Sequence, residues 1–162
     1  MNAIMDSLMI GLSQAGNNGM IWIFICLIML LKKTWRKAGV YLLITIALGA
    51  IAQDVLKDFI QRPRPVLDPA ELLIPIPTSY SFPSGHTLIS FAAAATISAF
   101  FLRAGVIFFV FALLIGGSRV YLGVHYVSDV IGGALFGMTI SYIVLHLPKW
   151  VKQQKRNPNR EM

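Results

Sequence analysis

Apolar residues in this chain gather into five stretches of nearly membrane-crossing length, residues 17–35, 38–57, 86–102, 104–121 and 127–147. A hydrocarbon core about 30 Å thick needs about 20 apolar residues per helix. The pattern therefore predicts an all-α integral membrane helical bundle of about five transmembrane helices. Composition agrees: 56% of the 162 residues are hydrophobic and 13% charged, and a mean hydropathy of +0.69 is too high for a water-soluble domain of this size. Before the first stretch, Ile4, Leu8 and Leu12 fall at helical spacing with Asp6, Ser7 and Gln14 between them, which suits an N-terminal helix lying at the interface over residues 1–16. The chain reads as a single domain over 1–162. The first residues lack the basic start and small-residue cleavage site of a secretory signal. The single cysteine, Cys26, lies in an apolar run and reads as packing.

Orientation follows from the basic residues, because cytoplasmic flanks carry the excess of Lys and Arg. With the C-terminus inside, Lys32, Lys33, Arg36, Lys37, Arg103, Lys149, Lys152, Lys155, Arg156 and Arg160 all fall on the inner face. Only Lys57, Arg62, Arg64 and Arg119 of the fourteen fall outside. The expected arrangement is a multi-pass protein of the cell membrane, N-terminus out, with residues 148–162 as a basic cytoplasmic tail touching anionic lipid. That location for the +7 net charge makes the bilayer the partner and excludes nucleic acid.

The four outer cations belong to three polar clusters that map to one membrane face. Lys57 ends the second stretch and Arg64-Pro65 follows in the loop; Pro83-Ser84-Gly85-His86 opens the third stretch; Arg119 closes the fourth, with His125 and Asp129 one helical turn apart just beyond. Singly each has an ordinary explanation: a snorkelling lysine, a loop charge, a helix cap, a structural His–Asp hydrogen bond. Together, at one depth where ionisable groups are costly, they predict a functional site. His146 lies at the other end without polar partners and reads as structural.

In order and spacing these residues resemble the signature of the type 2 phosphatidic acid phosphatase family, membrane enzymes that include undecaprenyl diphosphate and phosphatidylglycerophosphate phosphatases and share their site with vanadium haloperoxidases. The likeness extends from about Asp6 to Leu147. Spacing selects Arg64 from the doubled "RPRP" and leaves Arg62 as an auxiliary cation.

The chemistry fits the residue types. Transfer of a phosphoryl group needs its oxygens neutralised, an in-line nucleophile and a proton for the leaving oxygen. Lys57, Arg64 and Arg119 supply charge, and backbone N–H groups at Ser84 and Gly85 add donors at a helix N-terminus. Asp129, one turn from His125, fixes its tautomer, which makes His125 the better nucleophile. The resemblance implies the same: a phosphohistidine on His125, with His86 protonating the leaving group and then activating water. A metal centre on two histidines and an aspartate is disfavoured because three convergent cations repel it, so no metal or other cofactor is expected. The expected substrate is a membrane lipid, an outer-leaflet undecaprenyl diphosphate in the first place, since Arg62 offers charge for a second phosphate. Phosphatidylglycerophosphate or phosphatidate are the alternatives. A non-enzymatic phospholipid binder or transporter is the rival of another class.

Overall fold

The computed structural model describes residues 2–65 and 72–156, with side chains up to residue 147. Asp68 and Glu71 of the loop after residue 65, the side chains of the basic tail from Lys149 onward and all of residues 157–162 lie outside the described part.

Six α-helices and one 3-10 turn form the fold, with no strand among the described residues: α1 (Ala3–Ala15), the turn Asn17–Gly19, α2 (Met20–Leu31), α3 (Arg36–Ile60), α4 (Gly85–Phe100), α5 (Leu102–Tyr121) and α6 (Val127–Arg156). Helices α3 and α5 and the Val127–Leu147 part of α6 are each long and apolar enough to cross a membrane. The stretch expected at 17–35 is helical only over the 12 residues of α2, roughly 18 Å and too short to cross alone. At its start Asn18 (φ 49°) and Gly19 (φ 67°) are left-handed and break the helix. At its end Lys32 turns extended and its ammonium stacks 3.7 Å over the Trp35 ring. Taken with α1, across a 50° bend, α2 is long and apolar enough for a broken fourth span or a re-entrant loop. Asp6 and Ser13, roughly 10 Å apart along α1, reach Tyr121 and Arg119 respectively in the last turn of α5. Helix α1 therefore crosses that end of α5 obliquely.

Helix α4 is the centre of the bundle. Eleven of its 16 residues are buried, against six of 25 in α3, and it packs on α6, α5 and α3. Small residues make this possible: a Cβ on Gly137 of α6 would lie 2.2 Å from the Leu88 carbonyl oxygen of α4, so the two backbones touch. Hydroxyls add specificity, since Thr96 bonds both Thr45 of α3 (3.1 Å) and Ser141 of α6 (2.9 Å). The Trp22 indole of α2 donates to Ser90 of α4 at 2.9 Å. The outer surface is apolar, with Phe24, Leu43, Ile51, Val106, Ile107, Leu113 and Leu135 all exposed, as a surface solvated by lipid must be.

Helix directions sort the polar residues. The C-terminal ends of α3 and α5 and the N-terminal ends of α4 and α6 meet at one end of the bundle, bringing Lys57, His86, Arg119 and Asp129 together. Lys32, Lys33, Arg36, Lys37 and Arg103 sit at the opposite helix ends.

Candidate active site

Local backbone signals place the site residues. Helix α5 closes with a Schellman motif: Val124 N–H bonds the Arg119 carbonyl (3.2 Å) and Gly123 N–H the Val120 carbonyl (2.9 Å), with Gly123 left-handed at φ 69°. This turn fixes the spacing between Arg119, in the last turn of α5, and His125, just beyond it. Helix α3 ends at Gln61 in the left-handed conformation (φ 51°), and the prolines of Arg62-Pro63-Arg64-Pro65 hold the following chain extended. Residues two apart in an extended segment share a side, so Arg62 and Arg64 both face the His125–Asp129 pair.

Asp129 is fully buried and accepts four hydrogen bonds, matching the four lone-pair sites of a carboxylate. Arg62 donates at 2.7 Å, the Tyr126 backbone N–H at 2.9 Å and His125 Nδ1 at 3.3 Å; the Ser81 hydroxyl is the fourth donor. On the other side of the ring His125 Nε2 is 3.2 Å from Arg64 Nη1. A guanidinium only donates, so Nε2 is the unprotonated nitrogen and Nδ1 carries the hydrogen that Asp129 receives. Burial, together with Arg64 and Arg119, lowers the His125 pKa from 6.5 to about 3, with Asp129 opposing the shift. The ring is therefore neutral near pH 7, with its lone pair turned away from Asp129.

A cavity of about 490 Å³ opens on this ring. His125, Arg64, Lys57, Arg119, His86 and Gly85 all line it, together with Gln53, Asp54, Ser79 and residues of the α1–α2 turn. Ser79 ties two cations together, its hydroxyl accepting from Lys57 and Arg64 at 3.1 Å each while its carbonyl takes Arg64 Nε at 2.8 Å. Arg119 is 3% exposed, and its Nε is buried without a hydrogen-bond partner among the described residues. A buried orphan donor on a guanidinium is costly, and an anion in the cavity would satisfy it. Among the described residues no group of three or more His, Cys, Asp or Glu is arranged to hold a metal ion.

Against this geometry, residues 38–153 of the chain match the PAP2 superfamily. The chain belongs to the PAP2 superfamily. It is 35% identical to an undecaprenyl-diphosphatase of Sulfolobus acidocaldarius, over 90% of this chain and 71% of that protein. It is 33% identical to phosphatidylglycerophosphatase B of Bacillus subtilis, over 75% and 63%. Among solved structures it is similar to Aquifex aeolicus LpxE (TM-score 0.79, 30% identity, 90% of this chain and 87% of that one). It is similar also to the PAP2-type phosphatidylglycerolphosphate phosphatase of B. subtilis (TM-score 0.73, 27% identity, 93% and 80%). This PAP2 protein is a membrane phosphatase of lipid phosphates.

Two sequence readings change within the PAP2 site. The Ser84 N–H, expected to face the phosphate, instead donates to the Asp129 carbonyl oxygen at 3.1 Å, and the Ser84 hydroxyl accepts from Thr87 at 3.0 Å. Ser84 thus joins α4 to α6, and Gly85 alone of the two lines the cavity. Arg62, expected as a spare cation for a second phosphate, is committed to Asp129 and stacks 4.2 Å from the Tyr126 ring, outside the cavity lining. Sequence reasoning passed over Ser79, Ser81, Ser13 and Asn17 altogether. Ser81 and Ser13 are fully or nearly fully buried, but hydroxyl and amide residues in loops carry no pattern that distinguishes a buried partner from an ordinary turn.

Proposed function

We propose that this phosphatase removes the terminal phosphate of a polyprenyl diphosphate in the outer leaflet through a phosphohistidine on His125, without a metal. The observation that carries the reading is His125 itself: Nδ1 is held by Asp129 and the Nε2 lone pair lies beside Arg64 at the cavity wall. In the first step Nε2 attacks phosphorus and the bond to the leaving oxygen breaks, while His86 gives that oxygen a proton. The imidazolium formed on His125 is stabilised by Asp129. In the second step His86, now neutral, takes a proton from water; the oxygen attacks phosphorus, the P–N bond breaks, and inorganic phosphate leaves. Lys57, Arg64, the Gly85 N–H and the Arg119 Nε, which has no partner among the described residues, spread the charge of the transferring group.

Sidedness is supported by the basic residues at the helix ends opposite the site. A polyprenyl diphosphate is supported by the identity to the Sulfolobus enzyme; the earlier reason, a free Arg62, no longer stands. Phosphatidylglycerophosphate is the second reading, on the similarity to the Bacillus enzyme.

The test is phosphate release by purified protein from undecaprenyl diphosphate, phosphatidylglycerophosphate and phosphatidate in detergent micelles, repeated with a chelator. The diphosphate turns over fastest, chelation leaves the rate unchanged, and with the diphosphate, whose phosphate leaving group least needs a proton, His86→Ala accumulates an acid-labile phosphoenzyme that His125→Ala does not form. A lipid binder would retain its ligand equally in wild type and His125→Ala while releasing no phosphate. Loss of activity on chelation, restored by one metal, would overturn the metal-free chemistry.

A further inference from the structure

Residues 2–19 lie outside the stretch that matches the superfamily, yet they form one wall of the cavity. Helix α1 ends at Gly16, and the left-handed Asn18 and Gly19 bend the chain, with the Asn17 side chain meeting the start of α4. The Asn17 side-chain oxygen lies 2.9 Å from His86 Nε2, the one side-chain hydrogen bond of that ring among the described residues. Gly16 is pressed against the same edge of the imidazole: a Cβ there would stand 2.8 Å from His86 Cδ2 and 2.9 Å from Ile115 Cγ2. From the same turn Ser13 receives Arg119 Nη1.

From this geometry we infer that Asn17 is a positioning residue for the proton transfer by His86. The inference rests on the reading of His86 as the acid that protonates the leaving oxygen. An amide oxygen on Nε2 fixes the ring's rotation and favours the form in which that nitrogen carries hydrogen. Being neutral, it does so without adding negative charge to a phosphate cavity. The lack of a side chain at Gly16 is what lets the ring lie in this orientation. The N-terminal turn is thus part of the catalytic apparatus, although it precedes the stretch 38–153 that matches the superfamily.

A structural role and a positioning role separate by leaving group. Phosphatidate expels an alkoxide and needs the proton; 4-nitrophenyl phosphate expels a stabilised phenolate and hardly does. In single-turnover measurements at saturating substrate, Asn17→Ala slows the first step on phosphatidate about tenfold, a part of the 10²–10⁴ a general acid supplies. The burst of nitrophenolate is unchanged, which also reports a folded site. Asn17→Asp, which keeps an oxygen acceptor in place but adds the negative charge the amide avoids, retains the phosphatidate rate at saturation while needing more phosphatidate to reach it. His86→Ala, run alongside, should lose phosphatidate cleavage and keep the nitrophenolate burst. Asn17→Ala at the wild-type rate on both substrates, or slowed equally on both, would overturn the inference while leaving His86 as the acid. His86→Ala without leaving-group selectivity would remove the reading beneath it.

Discussion

The cavity has two unlike walls, one around each histidine. His125 is 4% exposed and is held by Asp129 and Arg64, with Ser81 bridging to Asp129 and Arg62 backing the carboxylate. His86 is half-buried and, among the described residues, has one side-chain partner, the Asn17 amide, with the Ser13 backbone beside it. The difference matches what the proposed mechanism asks of each ring. A nitrogen that forms a bond to phosphorus gains from being held in one orientation and one tautomer. A ring that gives a proton and then takes one back must exchange partners within each turnover, and a dense network would resist that.

The contrast is broken most severely by His125→Ala. Without the nucleophile, phosphate release from lipid phosphate should fall at least about 10⁴-fold, with no phosphoenzyme trapped after rapid acid quench. Asp129→Asn comes next: the amide cannot stabilise the imidazolium and leaves Arg62 without its ion partner, so kcat should drop about 10³-fold with KM little changed. Ser81→Ala removes one of four donors to that carboxylate and should cost about tenfold in kcat, a loss of about 1.4 kcal/mol. A Ser81→Ala enzyme at full rate would mean the His125 wall is overbuilt.

The smallest effect concerns pH. Because His125 is shifted down to about 3 by burial and by Arg64 and Arg119, its reactive neutral form is already complete at pH 5. The free-enzyme profile of kcat/KM should then show no acid limb from His125 between pH 5 and 7, and ¹³C NMR of labelled imidazole should find that ring neutral throughout. Between pH 6.5 and 3 the unfolded chain binds the proton that the folded His125 refuses, so stability declines as pH falls through that window. An acid limb near 6.5 that moves with Arg64→Gln would show the wall to be wetter and less cationic than its geometry implies.

Much of this was legible in the sequence, for definite reasons. Helices α3, α5 and α6 announce themselves because lipid-facing surfaces must be continuously apolar, and Lys57, Arg64, His86, Arg119, His125 and Asp129 stand out because charge at that depth is anomalous. The short α2 was overrun in the reading because hydropathy averages across Asn17–Gly19 and Lys32–Trp35, where left-handed and extended backbone interrupts the helix. The special standing of α4 was hidden for the opposite reason: it is as apolar as the lipid-facing helices, so hydropathy counts it as one more span, and only its length, 16 residues, sets it apart. Arg62 follows from its neighbour in the doubled "RPRP", and Ser84 from its place in Pro83-Ser84-Gly85-His86 at a helix N-terminus. Their hydrogen bonds depend on how α6 meets α4 and the 62–64 segment, information that no single stretch contains.

The contact of Gly137 with the Leu88 carbonyl has one further meaning. Where main chain lies on main chain, the separation of two helices is a fixed gauge that side-chain exchange elsewhere cannot retune. The helix carrying His86 and the helix beginning beside His125 are set apart by such a gauge. The bundle's outer face is therefore free to drift toward thicker or thinner bilayers, or longer and shorter lipid tails, while the phosphate keeps the same berth.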